Sequence, residues 1–448
     1  MTALFDFDER YKGGARAFLV SVNFSQNDDS GSLEELKMLA ISSGAEIVGI
    51  LTCTRSSPDP KYFIGSGKAA ELKSQVEFWD GETVIFNHEL SPSQERNLEG
   101  LLGCRVITRT ALILDIFADR ARTREGKLQV ELAQLGYLET RLVRGWTHLE
   151  RQRGGFGLRG GPGETQLEYD RRLLKERVNT LRRELAVVEK QRDQGGRARS
   201  RRGLPVVSLV GYTNSGKSTL FNTLTNADVY AADQLFATLD PTLRTVTLPR
   251  TGKTVFADTV GFIRELPHNL VAAFKATLRE ARESDLALMV IDSGDEDMKE
   301  KIASVEEVME DIGAGSVPVL KVYNKIDRIP GISPHVEHDS SGMPCAVSIS
   351  GKEKLGIDLL LQAISERLGR DRVCLELCLP PDAGALRQRL FEMGAIDSES
   401  YDDIGCDHLR ITHSLTELAR LSARFGGDLE RFVTVPAGFR FHKESWED

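Results

Sequence analysis

A multidomain α/β protein is what the sequence predicts, and three observations predict it. Short β-branched runs alternate with helical stretches over about residues 16–108 and again over about 204–368, the pattern of parallel sheets covered by helices. Between them lies a stretch whose apolar residues recur every three or four positions, which is the spacing of paired helices. At 448 residues the chain has room for about three domains of roughly 100–200 residues, each burying its own core. The expected division is 1–108, an α/β domain; 109–202, a basic helical hairpin; 203–369, a doubly wound α/β domain; and 370–448, a small α/β or α+β domain.

In the first domain, AFLVSV, AEIVGILT, TVIF and RVIT read as strands, and residues 32–43, 68–77 and 91–100 as helices. Ser32 followed by Glu35 has the form of a capping box and Gly44 that of a helix stop. In the hairpin, Leu128, Leu132, Leu135, Leu138, Leu142, Trp146 and Leu149 make one stripe, and Leu174, Val178, Leu181, Leu185 and Val188 a second with heptad-like spacing. Arms of roughly 25–30 residues would reach about 40 Å at 1.5 Å per residue. The third domain carries strands PVVSLV, TVFAD, LALMVID, PVLKVYN and CAVSI. The tail carries CLELCL and LRITHS, with helices near 384–393 and 415–425.

Net charge is -9, from 58 basic and 67 acidic residues, which argues against a uniformly basic nucleic-acid coat. Residues 105–202, however, hold 23 basic and 13 acidic residues, a local net of +10 that leaves -19 on the rest. The hairpin turn, RQRGGFGLRGGPG over 151–163, has six glycines, three arginines and no acid. A turn between helices needs only a few residues, so this length and charge suit a loop touching phosphate backbone through Arg151, Arg153 and Arg159; a solvated linker is the alternative. No apolar run approaches the 18 residues of a membrane span. Asp6, Asp8 and Glu9 near the start speak against a secretory signal. Six scattered cysteines do not make a disulfide framework, so a reducing cytoplasm is the expected compartment. Nothing in the pattern points to a homodimer, and a monomer is expected.

The chemistry concentrates in the third domain. Gly211, Tyr212, Thr213, Asn214, Ser215, Gly216, Lys217 and Ser218 follow the strand VVSLV and precede the helical TLFNTL, which is a phosphate loop in its strand–loop–helix context. Its amides and the following helix N-terminus suit phosphates, Lys217 suits the β and γ phosphates, and the Ser218 hydroxyl suits Mg²⁺. Asn324, Lys325, Ile326 and Asp327 end a strand 107 residues after Lys217. A carboxylate at Asp327 can accept from both the ring N–H and the exocyclic amine of guanine, which adenine cannot match. Ser350, Gly351 and Lys352 fit a supporting base-contact loop, or a plain turn. Asp258, Thr259, Val260 and Gly261 follow TVFA; the acid suits the water shell of the metal and the glycine N–H the γ-phosphate. Phe236, Ala237, Thr238, Leu239 and Asp240 lie where a switch segment would close Thr238 on the metal, with Thr242 as the alternative. Lys217, Thr238 and Gly261 are thus the candidate catalytic residues, and Mg²⁺ the expected cofactor. Phe262 stands where Ras-like proteins place a water-orienting glutamine, so unassisted turnover is expected to be slow.

These motifs, with FATLD, DTVGF and NKID, resemble the HflX family of translational GTPases, a sister of the Obg group. YFIGSGK over 62–68, the GGFGLRGGPGE tip and QLEYD over 166–170 add to the resemblance, which covers about residues 15–370. It implies a P-loop GTPase, with GTP and GDP as its nucleotides, that docks on the large ribosomal subunit and its RNA in the GTP form. It further implies that stalled ribosomes are separated, with a link to heat stress. The family is also connected with ATP and RNA unwinding through its amino-terminal region, which gives the runner-up: an RNA-remodelling protein with a regulatory GTPase domain. GSGK over 65–68 lacks both the preceding loop glycine and the metal-binding hydroxyl, so a tight turn opening a helix is the simpler reading, with a weak nucleotide contact as the other.

Overall fold

A computed structural model of the chain describes residues 14–24, 30–145, 166–201, 204–225, 235–236, 238–248, 251–264, 278–369, 372–401, 406–425 and 428–435. The hairpin turn, with Trp146, His148, Leu149, Arg151, Arg153 and Arg159, lies outside them, as does Ala237. By packing, the chain divides into two compact units: Met1–Val188 with Ala231–Asp240 and Val260–Thr277, and Glu189–Tyr230 with Pro241–Thr259 and Leu278–Asp448. The α/β multidomain class is as the sequence predicts.

The first unit opens with β1 (Arg16–Asn23), α1 (Ser30–Ser42), β2 (Glu46–Thr54), α2 (Ser66–Phe78), β3 (Thr83–Phe86), α3 (Pro92–Leu102) and β4 (Arg105–Thr108). The strands form a parallel sheet in the order β2-β1-β3-β4. Side chains alternate across it, as the strand period of two requires. Ala17 and Leu19 join Leu36, Leu39 and Ala40 of α1 and the helix α4 (Arg109–Arg120) on one face. Phe18, Val20 and Val22 meet Leu72 of α2 and Leu98 of α3 on the other. Gly44, at φ +83°, ends α1 as expected. The sequence places a capping box at Ser32 and Glu35, but α1 begins at Ser30, so Ser32 lies inside the helix; its hydroxyl accepts from Asn87 at 2.7 Å. A capping box does form at Ser91 and Gln94 of α3.

The hairpin follows as α5 (Arg124–Gly145) and α6 (Gln166–Arg201). Leu128, Leu135, Leu174, Val178 and Leu181 are buried at its seam, with Leu132, Leu138, Leu185 and Val188 packed against them. Arg124 pairs with Glu184 and Glu131 with Arg177, a step of seven residues forward on one helix and seven back on the other, so the arms run antiparallel.

The second unit holds a seven-stranded sheet in the order β10-β11-β9-β8-β5-β7-β6. Its strands are β5 (Val206–Val210), β6 (Thr242–Leu248), β7 (Gly252–Asp258), β8 (Leu286–Asp292), β9 (Val319–Asn324), β10 (His335–His338) and β11 (Pro344–Ser348). β5, β7, β8, β9 and β11 are parallel, whereas β6 and β10 close the edges antiparallel. The helix α7 (Lys217–Thr225) packs Leu220, Phe221 and Leu224 into this domain's core. The tail is β12 (Arg372–Leu379), a helix at Gly384–Glu392, β13 (Ile396–Tyr401), β14 (Asp407–Ser414), helices at Leu415–Arg424 and Asp428–Arg431, and β15 (Val433–Val435). Its antiparallel order β13-β14-β12-β15 on a βαββαβ chain is the ferredoxin-like arrangement. Of the two expected classes, the tail is therefore α+β.

Candidate functional site

The parallel strands of the seven-stranded sheet end at one edge, and the loops leaving that edge carry the sequence motifs, as open α/β sheets place their ligands. Gly211 leaves β5 at φ +145°, and a Cβ there would stand 2.3 Å from the Val290 carbonyl oxygen. Gly216, at φ +92°, would press a Cβ to 2.3 Å from Asn324 Nδ2. Only glycine fits both conformation and space. Asn214 takes the left-handed region at φ +59°, which asparagine tolerates better than most residues. The loop so formed curls around Lys217, whose Nζ donates to the carbonyls of Gly211 at 3.0 Å and Tyr212 at 2.7 Å. Burial pushes this ammonium down to about 8, against the opposing pull of Asp258. Thr213 Oγ1 and Ser215 Oγ are buried without a hydrogen-bond partner among the described residues. Buried hydroxyls are normally satisfied, and the oxygens of a phosphate chain are the acceptors this loop is shaped to admit.

Ser218 donates to Asp258 Oδ2 at 2.8 Å from the first turn of α7. Asp258 ends β7 fully buried, and Thr259 turns its hydroxyl to the Leu209 carbonyl at 2.6 Å. A hydroxyl and a carboxylate side by side are hard oxygen donors suited to Mg²⁺, which keeps several waters and takes few protein ligands. Among the described residues no group of three or more His, Cys, Asp or Glu stands together as a metal cage.

At the end of β9, Asn324 ties the site together: Nδ2 donates to the Ser215 carbonyl and Oδ1 accepts from the Gly351 amide, both at 2.9 Å. Lys325, at φ +64°, donates to the Asn214 carbonyl at 2.6 Å and pairs with Asp292 at 2.8 Å. Asp327 Oδ1 accepts from Ser350 Oγ at 2.5 Å, so one carboxylate oxygen is fixed by the loop after β11. Ile326 is buried and Lys352 exposed. The structure thus brings Gly211 to Ser218, Asp258, Thr259, Asn324 to Asp327 and Ser350 to Lys352 to one sheet edge. Sequence reasoning missed Asp292, whose signal was an acid ending the strand LALMVID. It also missed Lys301, which lies 5.2 Å from the Tyr212 ring centre and had no sequence signal.

Thr238, Val260, Gly261 and Phe262 are buried in the first unit. There Phe236 and Leu239 are part of the core around α1 and α4, and Asp240 bonds to the residues before α5. Phe236, Leu239 and Asp240, expected from sequence to belong to the switch segment and to the GTP site, place their side chains among residues of that unit. Phe262, 2% exposed, has no group to orient water. The GSGK segment opens α2: Gly65 is its N-cap, Lys68 pairs with Glu71 at 2.8 Å, and Arg55 Nη1 donates to the Ile64 carbonyl. This is the tight turn of the simpler reading.

Three family models match in succession: "GTP-binding GTPase N-terminal" over residues 30–118, "GTP-binding GTPase Middle Region" over 120–201 and "50S ribosome-binding GTPase" over 206–325. GTPase HflX of Escherichia coli (strain K12) is 53% identical over 413 residues, spanning 92% of this chain and 97% of that protein. The chain belongs to the HflX GTPase family. A second HflX, from Caldanaerobacter subterraneus subsp. tengcongensis, is 46% identical over 398 residues, spanning 89% and 91% of the two chains. A GTP-binding protein of the archaeon Sulfolobus solfataricus, solved in complex with GDP, is 26% identical with a TM-score of 0.44, covering 79% of this chain and 98% of its own. As an HflX-family GTPase the protein hydrolyses GTP to GDP and phosphate. Among the described residues no helix is long and apolar enough to cross a membrane.

Proposed function

We propose that this GTPase is Mg²⁺-dependent, binds the large ribosomal subunit and its RNA in the GTP form, and separates stalled ribosomes into subunits under stress. The observation that carries the reading is a long antiparallel hairpin, ending in a basic glycine-rich turn, in the same chain as a GTP-binding edge. The match to a ribosome-binding GTPase model supports the partner.

In this reading the loop amides and Lys217 hold the β and γ phosphates and stabilise charge gathering on them as the terminal bond breaks. Ser218 would ligate Mg²⁺ and Asp258 would hold its water shell, while Thr238 is assigned to the metal by its motif. When bound, the ion would neutralise charge on the β and γ oxygens. Asp327 reads guanine, held in line by Ser350, and Asn324 locks the phosphate loop to the base-reading loop. Gly261 offers its N–H to the γ-phosphate. With Phe262 at the next position, the attacking water takes its orientation from a partner surface or from another loop. The protein acts as a monomer in the cytoplasm, peripherally on ribosomes. ATP work by the amino-terminal region has no observation in its favour.

Sedimentation tests the reading. Intact ribosomes are mixed with the full chain and a non-hydrolysable GTP analogue, with a GDP control and an Arg153→Ala, Arg159→Ala double variant. Free subunits with the analogue alone, fewer with the variant, are expected. Intact ribosomes carrying bound protein would leave a GTP-gated binder and overturn the splitting reading.

A further inference from the structure

Leu235, Phe236 and Asp240 are each fastened inside the first unit. The Leu235 amide donates to Ser42 Oγ at 2.8 Å. Phe236, held at φ +55°, sets its ring 4.5 Å from that of Phe117, edge to face. The densest contact is the last: Asp240 Oδ2 accepts from the Arg122 and Thr123 amides, each at 2.8 Å, and Oδ1 from the Thr123 hydroxyl at 2.5 Å. Thr123 in turn accepts from the Gly126 amide at 2.9 Å, so it caps α5. Asp240 extends that cap with a negative charge, placed where the first amides of a helix have no partners of their own. Gly126 completes the fit, because a Cβ there would stand 2.3 Å from Asp240 Oδ1.

We propose that Asp240 is a positioning residue that joins Thr238, two residues away, to the root of the first hairpin helix. A nucleotide-dependent movement of Thr238 is thereby transmitted to α5. The inference rests on the reading of Thr238 as the residue that closes on the metal. Asp240 touches neither nucleotide nor metal in this scheme; its work is mechanical. A cap that merely stabilised α5 would do so equally in both nucleotide states, and that difference is what an experiment can read.

Hydrogen exchange of the peptide spanning residues 122–130 is measured in the full chain with GDP and with a non-hydrolysable GTP analogue, both with Mg²⁺. In the unaltered protein, exchange is expected to differ between the two states by at least about fivefold, the size of a local opening change of about 1 kcal/mol. Gly126→Ala lies away from the nucleotide and favours helix by propensity, yet it blocks the seat of Asp240. It is expected to keep nucleotide affinity while the two exchange rates converge, and Asp240→Asn should converge them as well. Equal exchange in both states of the unaltered protein, or a state difference that survives both substitutions, would overturn the latch. A parallel titration of the analogue with and without Mg²⁺ on Thr238→Ala separates the two ideas. Unchanged Mg²⁺ dependence there sinks the metal reading of Thr238, whereas lost Mg²⁺ dependence with a flat exchange response in the unaltered protein sinks the latch alone.

Discussion

In the role proposed for Lys217 at the phosphates, nucleotide binding is expected to depend on pH, with a sign that follows from its burial. Its Nζ is buried against two carbonyls, and burial holds it near 8 instead of the usual 10.5. The phosphates of a bound nucleotide favour the charged ammonium, so binding takes up a proton wherever free Lys217 has lost one. Affinity is therefore flat below about pH 8 and falls about tenfold per pH unit above it, reaching about tenfold at pH 9. Stability of the nucleotide-free protein obeys the same linkage in the other direction. The folded state binds fewer protons than the unfolded chain between about 8 and 10.5, so this group's penalty, roughly 3 kcal/mol at 1.36 kcal/mol per unit, is complete below 8 and is relieved as pH rises through that window. The assay is titration with a fluorescent GTP analogue from pH 7 to 9.5. Guanine's own ring N–H titrates in part of this range, so Lys217→Met, which keeps that contribution, is the reference. A flat profile in the unaltered protein, or the same slope in Lys217→Met, would refute the reasoning.

Other perturbations probe the remaining parts. Asp327→Asn removes an acceptor for two guanine N–H groups and should weaken GTP binding on the order of 100-fold, at about 1.5 kcal/mol or more per charged hydrogen bond, while a xanthine nucleotide gains in a competition assay. Leu181→Ala, at a fully buried seam position, should cost about 2–5 kcal/mol in the stability of the hairpin-bearing unit, read by denaturant unfolding, with GTP affinity unchanged. Because Phe262 offers water no hydrogen bond, turnover of the purified protein should be slow and rise on adding ribosomes; equal rates with and without them would remove the argument.

The gathering of the loop motifs at one sheet edge was legible because nucleotide chemistry requires fixed residue types at fixed spacing on strand ends: a glycine for close approach at Gly211, a charge at Lys217, a carboxylate at Asp327. The hairpin was legible because a seam of leucines must repeat with the helix. What failed to show had no such requirement. Ser32 and Glu35 spell a capping box, but the three-dimensional fold gives Ser32 to Asn87 and pairs Glu35 with Arg109 at 2.7 Å, and no local pattern announces a partner 74 residues away. The strand IDSESY of β13 is exposed at nearly every position, an edge strand without the apolar alternation that strand reading depends on.

Membership of a structural unit is a further property that sequence order conceals. Residues 235–240 and 260–264 lie between elements of the seven-stranded sheet in the chain, yet Leu235, Phe236, Leu239, Val260 and Ile263 are core residues of the unit built on the first sheet. Arg109, itself buried, reinforces this by pairing with Glu35 while donating to the Arg264 carbonyl at 2.9 Å. Interiors packed at near-crystalline density do not deform continuously. A segment that shares a core with α1 and α4 therefore moves with that core or leaves it, and leaving exposes three large apolar side chains in 235–239 alone, at about 1.5–3 kcal/mol each. A single hydrogen bond, worth about 0.5–1.5 kcal/mol net, is smaller than that sum, so any displacement of Thr238 is cheapest when the core moves with it.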